Sequence, residues 1–471
     1  MRIISIKYCL LAGSMFIGLA STMLHAGERP NLVVIMTDDQ GYADVGFNGC
    51  EDIPTPHIDS IAEQGVRFSN GYVTYPVCGP SRAGFITGRY QQRFGFERNP
   101  QYCTGDPNMG LPLSEETIAD VLKKVGYTSG IVGKWHLGAH RDLHPLSRGF
   151  DFFHGHLGGG HNYFPEMLTI KDSEAATDEP QSYRTWILRN YEPVEPTKYL
   201  TDDFSDAAVE FIEMNKEKPF FLFLSYNAPH TPMQATEAYL ARFPDIKDVK
   251  RRTYAAMVSA VDDGVGRVLA KLEEHGLDDN TLVFFLSDNG GSPKNASLNT
   301  PLRGHKSDVW EGGYRVPFAL RWSGRLEAGA VYERPVSSLD ILGTIAGITR
   351  VSISSERPLD GVNLVPFLDG DKQGDPHPAL YLRKWDQQRY AVRKGDHKLV
   401  IPVKGGKPQL FHLSDDIAEK KNVIGSERDI AKELETLRLQ WDSELMEPRF
   451  LGLIHTDAWK KKAKKGAAKR N

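Results

Sequence analysis

The 471-residue chain has a formal net charge of −4, and 25% of its residues are charged and 40% hydrophobic. This composition is ordinary for a folded globular protein and excludes a predominantly disordered chain. The slightly acidic balance does not favour nucleic-acid binding, which requires a basic surface.

Residues 1–26 have the pattern of a secretory signal peptide. Arg2 and Lys7 precede a mostly apolar run from Cys9 to Ala20, which is shorter than the ~20 residues that a membrane span needs. We therefore expect cleavage near the end of this segment and export to the periplasm or the medium, with no membrane span in the mature chain. A membrane anchor is the alternative interpretation.

Apolar strands then alternate with amphipathic helices, a pattern typical of a large, mostly parallel sheet sandwiched by helices. The predicted strands cover residues 31–36, 128–133, 219–225 and 281–286. The predicted helices cover residues 58–64, 80–87, 115–125 with Ser114 as N-cap, 202–216 and 252–275. This pattern indicates an α/β catalytic domain over residues 27–359, and the polar stretch 171–199 is predicted to be an insertion or lid.

The pattern changes near residue 358, where short alternating runs are separated by glycine and charged turns. The predicted strands there cover residues 379–382, 388–393, 397–403 and 409–412, and a helix follows over residues 430–445. We expect a smaller C-terminal domain of antiparallel sheet plus helix over residues 360–450. The basic tail 451–471 is then solvated, or contacts an anionic polysaccharide.

Polar residues follow each of the four long strands. They are Asp38-Asp39, Lys134-Trp135-His136, Asn227-Ala228-Pro229-His230 and Asp288-Asn289. Ligands of open α/β sheets bind beyond the carboxyl ends of the strands, so these residues predict one shared site. Its carboxylates and amide suit a hard cation such as Ca²⁺ or Mg²⁺, whereas zinc favours more nitrogen and sulfur ligands.

The segment Cys78-Gly79-Pro80-Ser81-Arg82, within PVCGPSRAGFITGRY, resembles the signature of the sulfatase family. The GKWHLG block around Lys134 and His136 matches a second family motif. His230 in NAPHTP and Lys306 in RGHKSDVWEGGYRVP extend the resemblance, which covers about residues 30–450. It implies the alkaline-phosphatase superfamily fold.

The resemblance also implies roles for these residues. A formylglycine-generating enzyme would oxidise Cys78 to formylglycine (3-oxoalanine), whose hydrate attacks sulfur and whose sulfated form later eliminates sulfate. Arg82 would hold the hydrate, Lys134 would bind sulfate, and His136 would act as the base in the elimination. His230 and Lys306 would bind sulfate and protonate the leaving oxygen. One Ca²⁺ would be bound by Asp38, Asp39, Cys78, Asp288 and Asn289.

Other residues carry weaker indications. His161, in a loop rich in histidine and glycine, is a candidate sugar contact, and Tyr163 and Trp186 are candidates for stacking on a sugar ring or for core packing. Asn295-Ala296-Ser297 fits a glycosylation sequon. Cys50 and Cys103 remain as a pair for which a disulfide is an open alternative.

Together these features predict an exported sulfatase acting on a sulfated polysaccharide or oligosaccharide. The expected substrate is an algal galactan such as carrageenan, with glycosaminoglycans second. One alternative is a phosphonate or phosphodiester hydrolase of the same superfamily. The other is a non-catalytic protein that binds sulfated glycans.

Overall fold

A ten-stranded sheet forms the centre of the structure, a computed structural model that describes residues 29–456. The predicted signal peptide and residues 457–471 of the predicted tail lie outside the described residues. The strands of the described part are β1 (Asn31–Thr37), β2 (Val66–Phe68), β3 (Gly71–Tyr72), β4 (Thr128–Lys134), β5 (Phe152–His156), β6 (Ile187–Arg189), β7 (Glu192–Val194), β8 (Phe220–Ser225), β9 (Thr281–Ser287), β10 (Phe318–Arg321), β11 (Ala330–Tyr332), β12 (Val336–Ser337), β13 (Leu380–Lys384), β14 (Arg389–Lys394), β15 (His397–Ile401) and β16 (Gln409–His412).

The described residues form helices, several of which cover the two faces of this sheet. They are α1 (Pro56–Glu63), α2 (Cys78–Thr87), α3 (Ile118–Lys123), α4 (Glu179–Ser182), α5 (Leu200–Asn215), α6 (Glu237–Leu240), α7 (Val249–Glu274), α8 (Glu311–Tyr314), α9 (Asp340–Thr349), α10 (Val365–Leu368) and α11 (Arg428–Asp442). None of the helices within residues 29–456 combines the length and apolarity that crossing a bilayer requires.

The sheet has the order β11-β2-β10-β9-β1-β8-β4-β5-β6-β7. Its centre, from β9 to β5, is parallel, whereas β10, β6 and β7 pair antiparallel with their neighbours toward the edges. The expected mostly parallel sheet is therefore confirmed. The four strands predicted from long apolar runs, β1, β4, β8 and β9, are adjacent in it.

The central strands are buried on both faces, which is why they read as continuous apolar runs. Leu32, Val34 and Met36 of β1 belong to one hydrophobic layer, together with residues of α2, α3 and α9. Val33 and Ile35 belong to the opposite layer, together with residues of α1, α5 and α7. The alternation of side chains along a strand sends successive residues to opposite layers.

The C-terminal part contains the expected small antiparallel sheet, in the order β13-β14-β15-β16. Val392, Leu399 and Leu410 of this sheet pack against Ala431 and Leu434 of α11. This sheet and helix confirm the predicted C-terminal architecture, whereas the boundary at residue 360 stays a prediction.

One local prediction was wrong, and a second was incomplete. The helix expected from residue 115 begins at Ile118, because Thr117 rather than Ser114 caps it. Thr117 accepts a hydrogen bond from the Asp120 backbone N–H, and the Asp120 carboxylate accepts one from the Thr117 backbone N–H. This capping box satisfies two backbone donors at once. The stretch 171–199 is not only a surface insertion, since β6 and β7 extend the sheet at one edge.

Candidate active site

The carboxyl ends of β9, β1, β8 and β4 meet at one edge of the sheet, as parallel strands require. This arrangement brings together the polar residues that follow each strand. Gly133, just before Lys134, adopts a φ of 104°, and a β-carbon there would lie 2.0 Å from the Ser225 carbonyl oxygen. Only glycine permits this close approach of β4 to β8.

Acidic and amide side chains form the floor of the site. One potential ligand atom from each of Asp38, Asp39, Cys78 and His230 lies within 4.8 Å of the others. The Asn289 side-chain N–H₂ donates to Asp39 at 2.8 Å, and the buried Asn289 Oδ1 has no hydrogen-bond partner within the part of the chain that the structure describes. Asp288 is completely buried beside them. A hard cation fits this oxygen-rich donor set, and it would give the orphaned amide oxygen a partner.

Helix α2 places Cys78 and Arg82 one turn apart on the same side. Cys78 Sγ lies 3.5 Å from Asp38 Oδ1. The buried Arg82 guanidinium donates to Asp288 Oδ2 at 2.9 Å and to the Ser225 hydroxyl at 2.5 Å. Arg82 therefore connects the start of α2 to the ends of β8 and β9.

Two lysines approach the same carboxylates and the cysteine. Lys134 Nζ lies 2.6 Å from Asp38 Oδ2, and both side chains are fully buried. Lys306 Nζ lies 2.6 Å from Asp39 Oδ1 and 3.0 Å from Cys78 Sγ. The site therefore has two ammonium groups beside its carboxylates, and that of Lys306 also contacts Cys78.

Burial and charge shift the pKa values of these groups in different directions. Burial raises the pKa of Asp39, but Lys306 and His230 outweigh that effect and hold it at about 2. Burial, together with the charge of Asp38, raises the pKa of Asp288 to about 6. Burial raises the pKa of Cys78 to about 12 despite the nearby lysines. The Cys78 thiol is therefore protonated at neutral pH and is not an activated thiolate.

The two histidines are held in the neutral form. Burial, then the charges of Lys134 and Arg82, keeps the pKa of His136 well below its usual range. His136 has a φ of 59°, and its buried ring nitrogens have no hydrogen-bond partner among residues 29–456. Burial lowers the pKa of His230 to about 3 although Asp39 opposes the shift. Both imidazoles can accept a proton in this state.

His230 lies at the mouth of the site with a defined ring orientation. Its Nδ1 lies 2.6 Å from the Thr231 carbonyl, which fixes the proton on Nδ1, and its Nε2 lies 3.7 Å from Asp39 Oδ2. Tyr163 donates from its hydroxyl to the backbone carbonyls of Asn227 and His230 at 2.7 and 2.8 Å. The buried Tyr163 thus holds the His230 segment and packs in the core rather than presenting its ring to a sugar.

The structure does not bring His161 into this cluster. His161 is buried, and its two ring nitrogens lie 2.8 Å from the carbonyls of Asn162 and Thr185. Its predicted sugar contact therefore has no support from the geometry. Trp186 is half-buried, with Lys171 Nζ 5.6 Å from its ring centre.

Two further expectations differ from the structure. Asn295 is completely buried, and its amide donates to the backbone carbonyls of Asp39 and Pro229 at 3.1 and 3.0 Å. It therefore joins two segments of the site, and a glycosylation enzyme could not reach it in the folded protein. Cys50 and Cys103 are both free, so the disulfide considered for them is not formed.

Sequence reasoning missed three supporting residues. The Ser225 hydroxyl bonds to Arg82 and to the Lys134 carbonyl, Asn99 accepts from the Gly79 backbone N–H, and Asn295 has the role just described. Each acts across a long sequence separation, and no local pattern marks such a partner.

Comparisons with known proteins agree with this geometry. The family model described as Sulfatase matches residues 30–351. Human N-acetylgalactosamine-6-sulfatase is 33% identical to the chain over 421 residues, which cover 85% of this chain and 77% of the relative. An uncharacterised sulfatase of Escherichia coli K12, YdeN, is 29% identical, with coverage of 86% and 84%.

A solved structure extends the similarity to nearly the whole fold. The crystal structure of Ps i-CgsB in complex with k-i-k-neocarrahexaose superimposes with a TM-score of 0.85 and 37% sequence identity. The match covers 93% of this chain and 98% of that chain.

Proposed function

Because the chain belongs to the sulfatase family, we propose that it removes sulfate from a sulfated polysaccharide or oligosaccharide. Its general activity is that of a sulfuric ester hydrolase. Carrageenan is the first candidate substrate and glycosaminoglycan the second. The observation that carries the proposal is the position of Lys306 Nζ, 2.6 Å from Asp39 Oδ1 and 3.0 Å from Cys78 Sγ, at the edge of the sheet.

Cys78 is the residue on which the reaction depends. Its oxidation to formylglycine by a maturation enzyme supplies an aldehyde whose hydrate attacks sulfur. The high pKa of the unmodified thiol argues against direct catalysis by cysteine. Arg82, one helical turn away, orients the group at position 78 through its bonds to Asp288 and Ser225.

Asp38, Asp39, Asp288, Asn289 and the modified residue 78 are the proposed ligands of one Ca²⁺. A divalent cation bound by these residues would polarise a sulfate oxygen and stabilise negative charge on the nucleophile. The orphaned Asn289 Oδ1 and the three neighbouring carboxylates support such a site. Calcium is preferred to zinc because the protein groups other than residue 78 offer oxygen.

Lysines and histidines perform the remaining steps. Lys134 and Lys306 bind the sulfate group by charge, and their ammonium groups shield it from the acidic floor. His136, neutral in this structure, accepts a proton during sulfate release. His230 or Lys306 protonates the leaving sugar oxygen. A bound sulfate ester next to His230 raises the pKa of that imidazole and favours its acid form.

The carbohydrate assignment rests on similarity. Ps i-CgsB was solved with k-i-k-neocarrahexaose, a carrageenan oligosaccharide, and 37% of aligned residues are identical. The N-acetylgalactosamine-6-sulfatase relatives support glycosaminoglycans as the second candidate. Export by the predicted signal peptide would bring the enzyme to extracellular polymers of either kind.

The direct test measures sulfate released from carrageenans, fucoidan and chondroitin sulfates. The protein is co-expressed with a formylglycine-generating enzyme, and the aldehyde at residue 78 is verified by mass spectrometry. Release from one glycan that Cys78→Ala abolishes supports the proposal. No release from any glycan by aldehyde-bearing protein contradicts it and favours a phosphonate or phosphodiester substrate. Binding of a glycan without turnover favours the non-catalytic alternative.

A further inference from the structure

The loop that carries Lys306, residues 303–311, is held by its own backbone to the segment that follows β9 and to the segment that precedes α2. The Lys306 N–H donates to the Gly291 carbonyl at 3.0 Å, and the Ser307 N–H donates to the Pro76 carbonyl at 2.8 Å. Ser307 has a φ of 76°, a left-handed conformation that costs free energy for a residue other than glycine. Such a conformation persists only where surrounding contacts hold it.

The C-terminal part of the chain supplies contacts to the same loop. Arg303 donates to the Glu419 carbonyl at 2.8 Å, and the Glu311 backbone N–H donates to the Glu419 carboxylate at 2.8 Å. These bonds fix the two ends of the loop. Between them, Lys384 Nζ donates to the Ser307 carbonyl at 2.5 Å.

Lys384 is the last residue of β13, and only 5% of its surface is exposed. Its bond to the Ser307 carbonyl fixes the Ser307–Asp308 peptide, one residue beyond Lys306. From there the Lys306 side chain extends to Asp39 and Cys78. A displacement of the Ser307 peptide would therefore move the Lys306 ammonium relative to residue 78.

We propose that Lys384 is a positioning residue for sulfate-ester hydrolysis, which acts by holding the Ser307 carbonyl and thereby the Lys306 ammonium beside residue 78. The inference rests on the function proposed above for Lys306. It assigns to the C-terminal sheet a part in organising the catalytic site.

The charges around Lys384 are consistent with a role for this residue other than stabilising the fold. Burial, then the charge of Arg389 on β14, lowers the pKa of Lys384 to about 8, while Asp308 on the loop and Asp386 after β13 partly oppose the shift. The charged form is therefore less favourable in the folded protein than in water. An apolar side chain would avoid this cost but could not hold the Ser307 carbonyl.

The test compares Lys384→Met and Lys384→Arg with Lys394→Met, which removes an exposed lysine of the neighbouring strand β14 that pairs with Glu433. We expect Lys384→Met to lower kcat about tenfold with little change in KM, since small misplacements of a catalytic group reduce rate more than binding. The thermal midpoint and the aldehyde content should stay close to wild type. Lys384→Arg should recover part of kcat because it keeps a charged donor, and Lys394→Met should match wild type.

A double-mutant cycle with Lys306→Ala separates positioning from a general structural effect. If Lys384 acts through Lys306, then Lys384→Met should cause no further loss of kcat in the Lys306→Ala background. An additive loss, a loss of activity that parallels a fall in thermal midpoint, or a rise in KM alone would each overturn the proposal. Unchanged kinetics of the single Lys384→Met variant would also overturn the proposal if Lys306→Ala alone impairs the enzyme.

The same measurements distinguish the failure of each proposal. Wild-type enzyme with an intact aldehyde that cleaves no sulfate ester refutes the proposed function itself. An active wild type that tolerates Lys306→Ala refutes the role of Lys306 and with it the role of Lys384. Activity that depends on Lys306 but not on Lys384 refutes only the positioning role.

Discussion

Lys306 and Cys78 meet with 3.0 Å between Nζ and Sγ although 228 positions separate them in the sequence. Cys78 opens a helix that follows β3, and Lys306 lies in a loop after β9. The contact places a positive charge beside the group that is proposed to become the nucleophile. Burial lowers the pKa of Lys306, but Asp39 and then Cys78 outweigh that effect and hold it well above its usual range.

Replacement of His230 should discriminate between leaving groups. A sugar alkoxide is a poor leaving group and needs a proton, whereas a nitrophenolate does not. We expect His230→Ala to slow cleavage of a sugar sulfate by about 10²–10⁴-fold, the usual contribution of general acid catalysis, and to slow an activated aryl sulfate much less. Steady-state kinetics on both substrates measures the difference. His275→Ala, at the exposed end of α7, is the control, and equal losses on both substrates would defeat the assignment.

Calcium should stabilise the fold through the oxygen-rich floor of the site. Asp38, Asp39 and Asp288 carry negative charge in close proximity, and a cation that binds only the folded state relieves their repulsion. At 100 times its Kd, Ca²⁺ should add about 2.7 kcal/mol to the free energy of unfolding, measured by thermal unfolding of chelator-treated protein with and without the ion.

Asn289→Ala should reduce that stabilisation because it removes the orphaned Oδ1. The matched control is Glu213→Ala, which disrupts an exposed group formed by Glu213, Glu274 and His275 that could also attract a cation. A calcium effect that disappears in the Glu213 variant and survives in the Asn289 variant would place the ion elsewhere.

Lys398 should be essential for stability. Its ammonium lies 2.8 Å from both Glu311 and Glu419, and all three side chains are fully buried. Lys398→Met leaves two buried carboxylates without their shared cation, which should cost about 3–5 kcal/mol. Urea unfolding measures the loss, and Lys394→Met, which breaks an exposed ion pair, should cost only about 0–1 kcal/mol. Similar losses for the two variants would contradict this interpretation.

His377 should make stability depend on pH. Burial lowers the pKa of His377, but Asp340, 2.8 Å away, outweighs that effect and raises it above the usual value. A raised pKa in the folded state adds stability that is complete below about pH 6.5 and is lost as pH rises through the folded-state value. Denaturant unfolding across this range should show the decline. This decline in the free energy of unfolding should become smaller in His377→Asn and should remain in a variant of the exposed His57. An unchanged decline in His377→Asn would exclude this histidine as its source.

The fold was predictable where burial produced a long local pattern. β1, β4, β8 and β9 read as apolar runs because both faces of the central sheet are covered. The strands outside the parallel centre, β2, β6, β7, β10 and β11, have only three or four residues each. Such short segments have too few residues to show a period, and only pairing with a neighbour stabilises them.

Sequence also indicated which polar residues lie together, since the carboxyl ends of parallel strands share one edge of the sheet. The PVCGPSRAGFITGRY and GKWHLG motifs indicated the sulfatase family, which the family comparisons confirm. The roles proposed for these residues remain predictions that the experiments above test.

The residues that hold the site in place were decided by the tertiary structure alone. Asn295 looked like a glycosylation sequon, yet its buried amide joins the Asp39 and Pro229 segments. Lys384 lies outside the strand predicted over residues 379–382, yet it bonds to the carbonyl of Ser307, the residue after Lys306. A sequence carries periodicity, capping and motifs because these depend on near neighbours. The sequence does not show which distant carbonyl a buried donor will bond to, because that partner is fixed only when the two sheets pack together.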